Sequence, residues 1–566
     1  MNVTRWLEKL ADQAPTTGDG HWRKLDAGAT GHGQQGEPVP MRTWVHRNLL
    51  RPGAAPFEHQ ADFGQAMEDV KPGQGLIAAH GTGTGKTFSA IGAFEEMKGM
   101  GKTQRALVLT PAGLRANFLE QGVHKYTTSK AQILTHPDQA TGDADYAVVS
   151  YDAFRRDPQA WMDKVKPDTV ICDEVHRAGN PDGATNKALW AIRPQVKYFM
   201  GLTASIAQND PADIVPLTQL ASGHRDGPYP SKKAFTRAHV KSEPIPGQGI
   251  FGGKLRAKRL VRKEELYNRV GPYIHYVEDL DASQKPQEVS ETVPVEMSSE
   301  QTDLYRMAMK GVDPNIRIKI EQGQPVSQKE AMGIFTSLLR ARQASNSLNT
   351  VDPRLTAEQA AERTPKVRKV LDDVEDHLKS TPDGQIIVYT NMVHGGVDVL
   401  EAGLRKRGIK YGMFIGKGNE GVTEAGRQQA VTDYLSGKNK VIVITGAGAE
   451  GLSLGNTTMV QLLDGHYNPE RIKQATARGI RAGGLSQRPV EDRKVVVKKY
   501  VSTLPKTFWQ TAFFKPPDTG VDEWVYRTAG KKDALNRQLR DVLRRRSEHE
   551  EHKRESFVYR HFGDGP

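Results

Sequence analysis

The chain has 566 residues, 37% hydrophobic and 26% charged, enough for about three to four domains on the usual length prior. Lysine and arginine exceed the acids by 79 − 67 = 12, a surplus that suits a polyanionic partner such as nucleic acid without requiring one. A lone cysteine, Cys172, excludes an intramolecular disulfide, no window is long and apolar enough for a membrane helix, and Glu8 and Asp12 fall where a signal peptide is apolar, so a reducing cytoplasm or nucleus and no membrane are expected.

Residues 1–45 read as a polar N-terminal extension, a short amphipathic helix followed by a loose connector. Over 46–225 strand runs alternate with helical stretches: Leu76–Ala79, Ala106–Leu109, Ala147–Ser150, Thr169–Cys172 and Tyr198–Leu202. That alternation predicts a parallel sheet covered on both faces. Over 226–365 strand runs are few, and helical periodicity dominates in Ser299–Met309 and Lys329–Gln343, so a largely helical insertion is expected. The alternation returns over 366–505, in Gln385–Tyr389, Tyr411–Ile415, Lys440–Ile444, Thr458–Leu463 and Lys494–Val501. The last part, 506–566, reads as a helix from about Asp522 to Arg545 ending in a mixed-charge tail.

The most specific chemistry lies in Ala79–Thr87, AHGTGTGKT, between a strand and a helix. Gly81, Gly83 and Gly85 let the backbone turn tightly, so that this loop, with Thr82 and Thr84, points N–H groups at phosphates. Lys86 would reach the β- and γ-phosphates of ATP, and the Thr87 hydroxyl would hold Mg²⁺. The helix N-terminus adds positive potential. One departure stands out, for His80 occupies the place where such loops ordinarily begin with glycine.

The strand Thr169–Cys172 ends in Asp173 and Glu174. Ligands bind outside the carboxyl ends of strands in α/β sheets, so both acids should face the loop. Asp173 would hold Mg²⁺, and Glu174 would accept a proton from the water that attacks the γ-phosphate.

With these residues in this order the chain resembles the superfamily-2 helicase-like ATPases in their DExH form, Asp173-Glu174-Val175-His176. Pro56–Gln60 resembles the upstream glutamine motif, which implies that Gln60 reads the adenine edge. Leu107–Pro111 resembles a strand-end motif whose Thr110 and Pro111 touch a nucleic-acid backbone, and Ser150-Tyr151 a further backbone contact. Gly201–Ser205, with Thr203, resembles the motif that couples hydrolysis to domain movement. In the second half, Ile444–Leu454 looks like motif V of the Swi/Snf group of DNA translocases. Asp464–Pro469 with Gln474, Arg478 and Arg481 looks like its motif VI, and Gln301–Tyr305 and Val521–Tyr526 with Lys531 also match. Departures at Tyr467, Ala477, Gly484 and Ala204–Ala207 resemble a compact, divergent branch of the kind found in phages and large DNA viruses.

The resemblance implies two RecA-like parallel-sheet P-loop domains, a helical insertion between them, a C-terminal helical brace, and ATP·Mg²⁺ in the cleft. On one helix Gln474, Arg478 and Arg481 would share a face, and the two arginines would act across the cleft as fingers on the γ-phosphoryl charge. His176 and Gln474 are expected to meet in the closed state. Thr110, Ser150, Thr390 and Thr445, at strand ends, would form a track gripping phosphates. The basic run Lys254–Lys263 reads as a flexible loop that either contacts DNA or is simply solvated. The expected activity is nucleic-acid-stimulated ATP hydrolysis driving a monomer along DNA, duplex rather than single-stranded. The rivals are a strand-separating or branch-migrating helicase, a packaging-type motor, and a nucleotide-gated DNA-binding protein with little turnover. No protein partner is read from the sequence, and with one cysteine and scattered histidines no zinc site is expected.

Overall fold

The computed structural model describes residues 57–244, 256–278, 285–321, 326, 328–352, 354–416, 423–446, 452, 454–481, 484–506 and 520–562. The chain divides into two compact units, Met1–Asp279 with Leu535–Pro566, and Leu280–Ala534.

The first unit holds β1 (Gln74–His80), β2 (Ala106–Thr110), β3 (Ala131–Leu134), β4 (Tyr146–Ser150), β5 (Thr169–Asp173), β6 (Tyr198–Thr203), the pair β7 (Val240–Pro244) and β8 (Arg256–Leu260), and β9 (Ile274–Val277). All but β7 and β8 form one parallel sheet in the order β3-β4-β2-β5-β6-β1-β9. Its central strands are apolar and buried along their whole length, as a parallel sheet covered on both faces requires. Ile77, Leu109, Val149 and Val170 pack into one core, while Ala78, Val108, Val148 and Ile171 face the other with Phe63, Ile91 and Phe94. Because every strand runs the same way, the carboxyl ends of β1, β2, β4, β5 and β6 share one edge of the sheet.

The second unit holds β10 (Gln287–Glu296), β11 (Gln385–Thr390), β12 (Tyr411–Phe414), β13 (Val441–Thr445), β14 (Thr457–Leu462) and β15 (Lys494–Thr503). They form a parallel sheet ordered β10-β15-β14-β11-β13-β12. Ile386, Val388, Val441 and Val443 face one core, and Ile387, Tyr389, Ile442 and Ile444 the other. A third cluster joins Tyr305, Leu338, Ala341, Val521 and Trp524. The two parallel α/β sheets are those expected from the sequence.

Several elements differ from the sequence reading. Four strands lie in the stretch read as poor in strands, β7 to β10: β9 is only four residues long, and β10 is a largely exposed edge strand in which Val289, Val293 and Val295 stand among charges. Part of the basic run is a strand, β8, paired antiparallel with β7, rather than a loop. Arg259 of β8 pairs with Glu243 at 2.7 Å, and Leu260 is buried; Lys254 and Leu255 lie outside the described residues. The helix read over Lys329–Gln343 is two helices, Gln328–Gly333 and Phe335–Asn346, separated at Ile334 (φ −114°, ψ 11°). The last helix runs over Val521–Phe562. Trp524 and Val525 belong to the second unit's core, whereas Leu535, Leu539, Val542 and Leu543 belong to the first unit's, so its packing is not confined to the second unit.

Candidate nucleotide site

The loop after β1 takes the shape its glycines permit. Gly83 (φ 84°) and Gly85 (φ 81°) occupy the left-handed region that glycine enters without cost. Thr84 is buried and donates to the Gly81 carbonyl at 2.8 Å; Lys86 Nζ reaches the same carbonyl at 3.5 Å. The helix Lys86–Gly99 starts directly from Gly85, so its first N–H groups open at the loop.

Gln60 is buried beneath this loop. Its Nε2 donates to Thr84 O at 2.9 Å, and its Oε1 accepts from Phe57 N at 2.9 Å. A Cβ at Gly85 would lie 2.4 Å from Gln60 Nε2. The carboxamide therefore braces the loop instead of presenting itself to a base, and reading an adenine would require it to exchange these bonds. Gln60→Ala separates the two roles. A brace predicts that ATP and GTP affinity fall together, on the order of 10-fold for one or two buried bonds. Loss for ATP alone, in equilibrium titrations with both nucleotides, would mean base recognition.

Asp173 closes β5. Its Oδ2 accepts from Thr110 Oγ1 at 3.2 Å, its Oδ1 from Glu174 N at 3.1 Å, and its carbonyl from the Tyr151 hydroxyl at 2.7 Å. Burial, reinforced by Glu174, pushes its carboxyl well above the usual range, against the pull of Lys86 and Thr110. A buried carboxylate so disfavoured suits a divalent cation, which would restore its charged form. Glu174 stands in the left-handed region (φ 53°, ψ 50°), unusual for a residue with a Cβ. Its Oε2 lies 3.2 Å from His176 Nδ1, which lies 3.1 Å from Thr203 Oγ1. The acids at the end of β5 are thereby linked to the end of β6.

The strand-end hydroxyls are buried and engaged within the protein. Thr110 bonds Asp173, and Ser150 Oγ caps a helix by accepting from Ala153 N at 3.1 Å. Thr390 donates to Asp464 at 2.6 Å, and Thr445 accepts from Gly416 N at 3.3 Å. Pro111 is buried as well. Thr110 and Thr390 thus give their hydroxyl protons to buried aspartates, whereas Ser150 and Thr445 accept from backbone N–H groups and keep an O–H that could donate elsewhere.

The one-face arrangement of Gln474, Arg478 and Arg481 does not hold. The helix Pro469–Thr476 stops before both arginines. Beyond it, Gly479 packs so tightly that a Cβ would lie 2.7 Å from Thr457, and Leu454 N bonds the Arg478 carbonyl at 3.0 Å. Arg478 Nη1 donates to Leu452 O at 3.4 Å. Gln474 is half-buried. Residues 447–451 and 453 of the motif V stretch lie outside the described residues, as do residues 1–56, with Pro56. Gln301 is buried and donates to Ala344 O (2.8 Å) and Ser345 O (3.1 Å), a structural role for the run that the resemblance includes.

The SNF2-related domain matches residues 2–350, and the helicase conserved C-terminal domain matches residues 369–483. The chain belongs to the SNF2-related family. The mimivirus protein L538, which carries the name of an ATP-dependent RNA helicase, is 23% identical over 78% of this chain and 88% of its own length. The rice DNA repair and recombination protein RAD54 is 23% identical over 79% of this chain and 49% of its own. A Sulfolobus solfataricus SWI2/SNF2 ATPase core in complex with dsDNA is 19% identical, covering 87% of this chain and 97% of that one, with a TM-score of 0.34.

This SNF2-related chain is a helicase-like ATP hydrolase. Among the described residues no helix is long and apolar enough to cross a membrane, and no group of three or more His, Cys, Asp or Glu side chains is placed so that it could hold a metal ion. Sequence reasoning missed what lies under the loop. His80 is fully buried, with its Nε2 2.8 Å from His275 Nδ1. Burial, then His275, His59 and Lys86, hold its pKa well below the ordinary histidine value. The only sequence signal was a histidine in the first glycine's place; its partner, 195 residues away, left none.

Proposed function

We propose that this enzyme couples ATP hydrolysis to movement along DNA, duplex rather than single-stranded, remodelling DNA or DNA–protein complexes. The observation that carries the coupling is the contact series Glu174–His176–Thr203, which ties the water-activating acid to the end of β6. The basic surplus and the RAD54 likeness support DNA as the track.

In this reading Lys86 and the N–H groups of Gly81–Thr87 bind the phosphates. Glu174, oriented by His176, takes the proton of the attacking water. Thr87 and Asp173 would hold Mg²⁺, which when bound neutralises phosphate charge. Arg478 and Arg481 are assigned the stabilisation of charge on the γ-phosphoryl oxygens, and Gln474 the communication with His176. Backbone groups near Thr110, Pro111 and Thr390, with backbone and hydroxyl groups of Ser150 and Thr445, grip the nucleic acid, since Thr110 and Thr390 give their hydroxyl protons to aspartates. The division read from the sequence, with ATP-binding 46–225 and the helicase C-terminal part 366–505, belongs to the same proposal, as do a monomeric state and an interior compartment.

The test is the ATPase rate of the full chain with no nucleic acid, duplex DNA, single-stranded DNA and RNA. Duplex DNA should stimulate most, and the half-saturating DNA concentration should rise steeply with salt. The RNA arm matters because L538 is named as an RNA helicase; stimulation by RNA alone would replace the DNA reading. Separation of a forked labelled duplex would favour a strand-separating helicase. DNA binding gated by nucleotide with negligible turnover would favour the binding-protein alternative.

A further inference from the structure

Three histidines from three segments meet beneath the P-loop: His59 of the helix Glu58–Glu68, His80 at the end of β1, and His275 of β9. His275 pairs in register with Ala78, two residues before His80, so the period-2 pleat puts both imidazoles on one face of the sheet. His80 Nε2 then meets His275 Nδ1 at 2.8 Å, while His80 Nδ1 lies 3.4 Å from Ser89 Oγ in the first turns of the P-loop helix. The next residue is held by the same strand, for Gly81 N donates to Val277 O at 2.8 Å. His59 bonds Thr84 O at 3.0 Å and meets His80 edge-on at 5.3 Å, and Phe63 packs against both His80 and His275.

The start of the loop is thus fixed by side chain and main chain of one edge strand. A glycine in this place has no side chain to fix; a buried imidazole must keep its bonds or leave a polar nitrogen unsatisfied. The titratable and charged groups facing His80 are His59, His275 and Lys86, none of them acidic. Burial and these neighbours disfavour a charged His80, and one N–H serves the bond between the two rings.

We propose that His275 is a positioning residue for nucleotide binding: through its Nδ1 bond to His80 it sets the orientation of the first P-loop residues and hence the aim of their N–H groups at the phosphates. His275 touches no reacting atom, so its removal should act on affinity and leave the chemical step alone. The inference rests on the P-loop being the nucleotide site.

The experiment compares His275→Asn, whose amide carries a polar atom at the Nδ1 position, with His275→Gln, whose amide places it at the Nε2 position. The full chain is assayed for ATP KM and kcat without nucleic acid, and for ADP affinity at equilibrium. The Gln variant should raise KM about 10-fold with kcat kept within about 3-fold, and the Asn variant should stay within about 2-fold on both. Adding His275→Gln to His80→Gly should cost nothing further, because the partner is already gone. Equal losses for Asn and Gln, a parent-like KM for Gln, a fall in kcat alone, or an additive double variant would each overturn the proposal. Should His275→Gln not fold, His80→Gly alone reads the same bond, and a parent-like KM there overturns it. Lys86→Ala is the control for the underlying reading. If it keeps nucleotide affinity, the P-loop reading falls and this inference with it; if it loses affinity while His275→Gln does not, only this inference falls.

Discussion

Glu174→Gln should bind ATP as the parent does and turn it over on the order of 10²–10⁴-fold more slowly. The glutamine side chain keeps the shape and the contact with His176 but cannot accept a proton from water. The structure also shows why the position is exacting. A left-handed backbone at a residue with a Cβ costs roughly 1–3 kcal/mol, and it persists only where neighbours hold it. Here Asp173 accepts the Glu174 N–H at 3.1 Å and His176 meets the carboxylate at 3.2 Å. Lys86→Ala should instead lose nucleotide affinity, since the cation opposite the phosphates is gone. Phosphate release in single-turnover conditions, alongside equilibrium nucleotide titration, distinguishes the two. Parent-rate hydrolysis by Glu174→Gln would remove Glu174 as the base.

Lys366→Met should destabilise the second unit by about 3–5 kcal/mol, the cost of leaving a buried charge without its partner. Lys366 Nζ lies 2.6 Å from Asp522 Oδ2, and both side chains are 1% exposed. The pair is part of a larger network. Lys366 also donates to Asn346 Oδ1 at 2.7 Å, and Asn346 donates to Asp464 at 3.0 Å. Asp464 in turn accepts from Thr390 and from Asn391 N. Asp522 stands in the first turn of its helix, where a carboxylate is favoured, and accepts from Ser502 N at 3.2 Å. Adding Asp522→Asn to Lys366→Met should recover part of the loss, because the uncompensated charge is then removed. Hydrogen exchange of amides in the second unit is the appropriate readout, since a chain of two units need not unfold in one step. Parent-like protection in Lys366→Met would show that the ammonium contributes no net stability.

Where the sequence was legible, one local rule sufficed. Runs such as Ala106-Leu107-Val108-Leu109 announce strands buried on both faces, and ten such runs fall where strands are found. Where it was not, a partner distant in the chain decided. β10 carries charges along its length and is recognisable only from its pairing with β15, Gln287 opposite Lys494 through Glu296 opposite Thr503. Thr110 and Thr390 stand at strand ends as expected, yet each is bonded to a buried aspartate, Asp173 or Asp464, that spacing alone does not place beside it. Helical spacing put Arg478 and Arg481 on one face; the helix ends at Thr476, before both, and the chain beyond it is held by the Leu454 N–H bond to the Arg478 carbonyl.

The sequence by itself determined the chemistry available to this protein: a glycine loop with Lys86 and Thr87 between strand and helix, two acids at a strand end, and two alternating α/β blocks. These are properties of short segments, in which composition and period dictate backbone shape. The tertiary structure alone decided which polar side chains remain available for that chemistry. Burial makes an unpaired donor or acceptor costly, so Gln60 went to the loop backbone, His80 to His275, and Thr110 to Asp173. Those partners lie 24, 195 and 63 residues away along the chain, and no local pattern encodes a hydrogen bond across such distances.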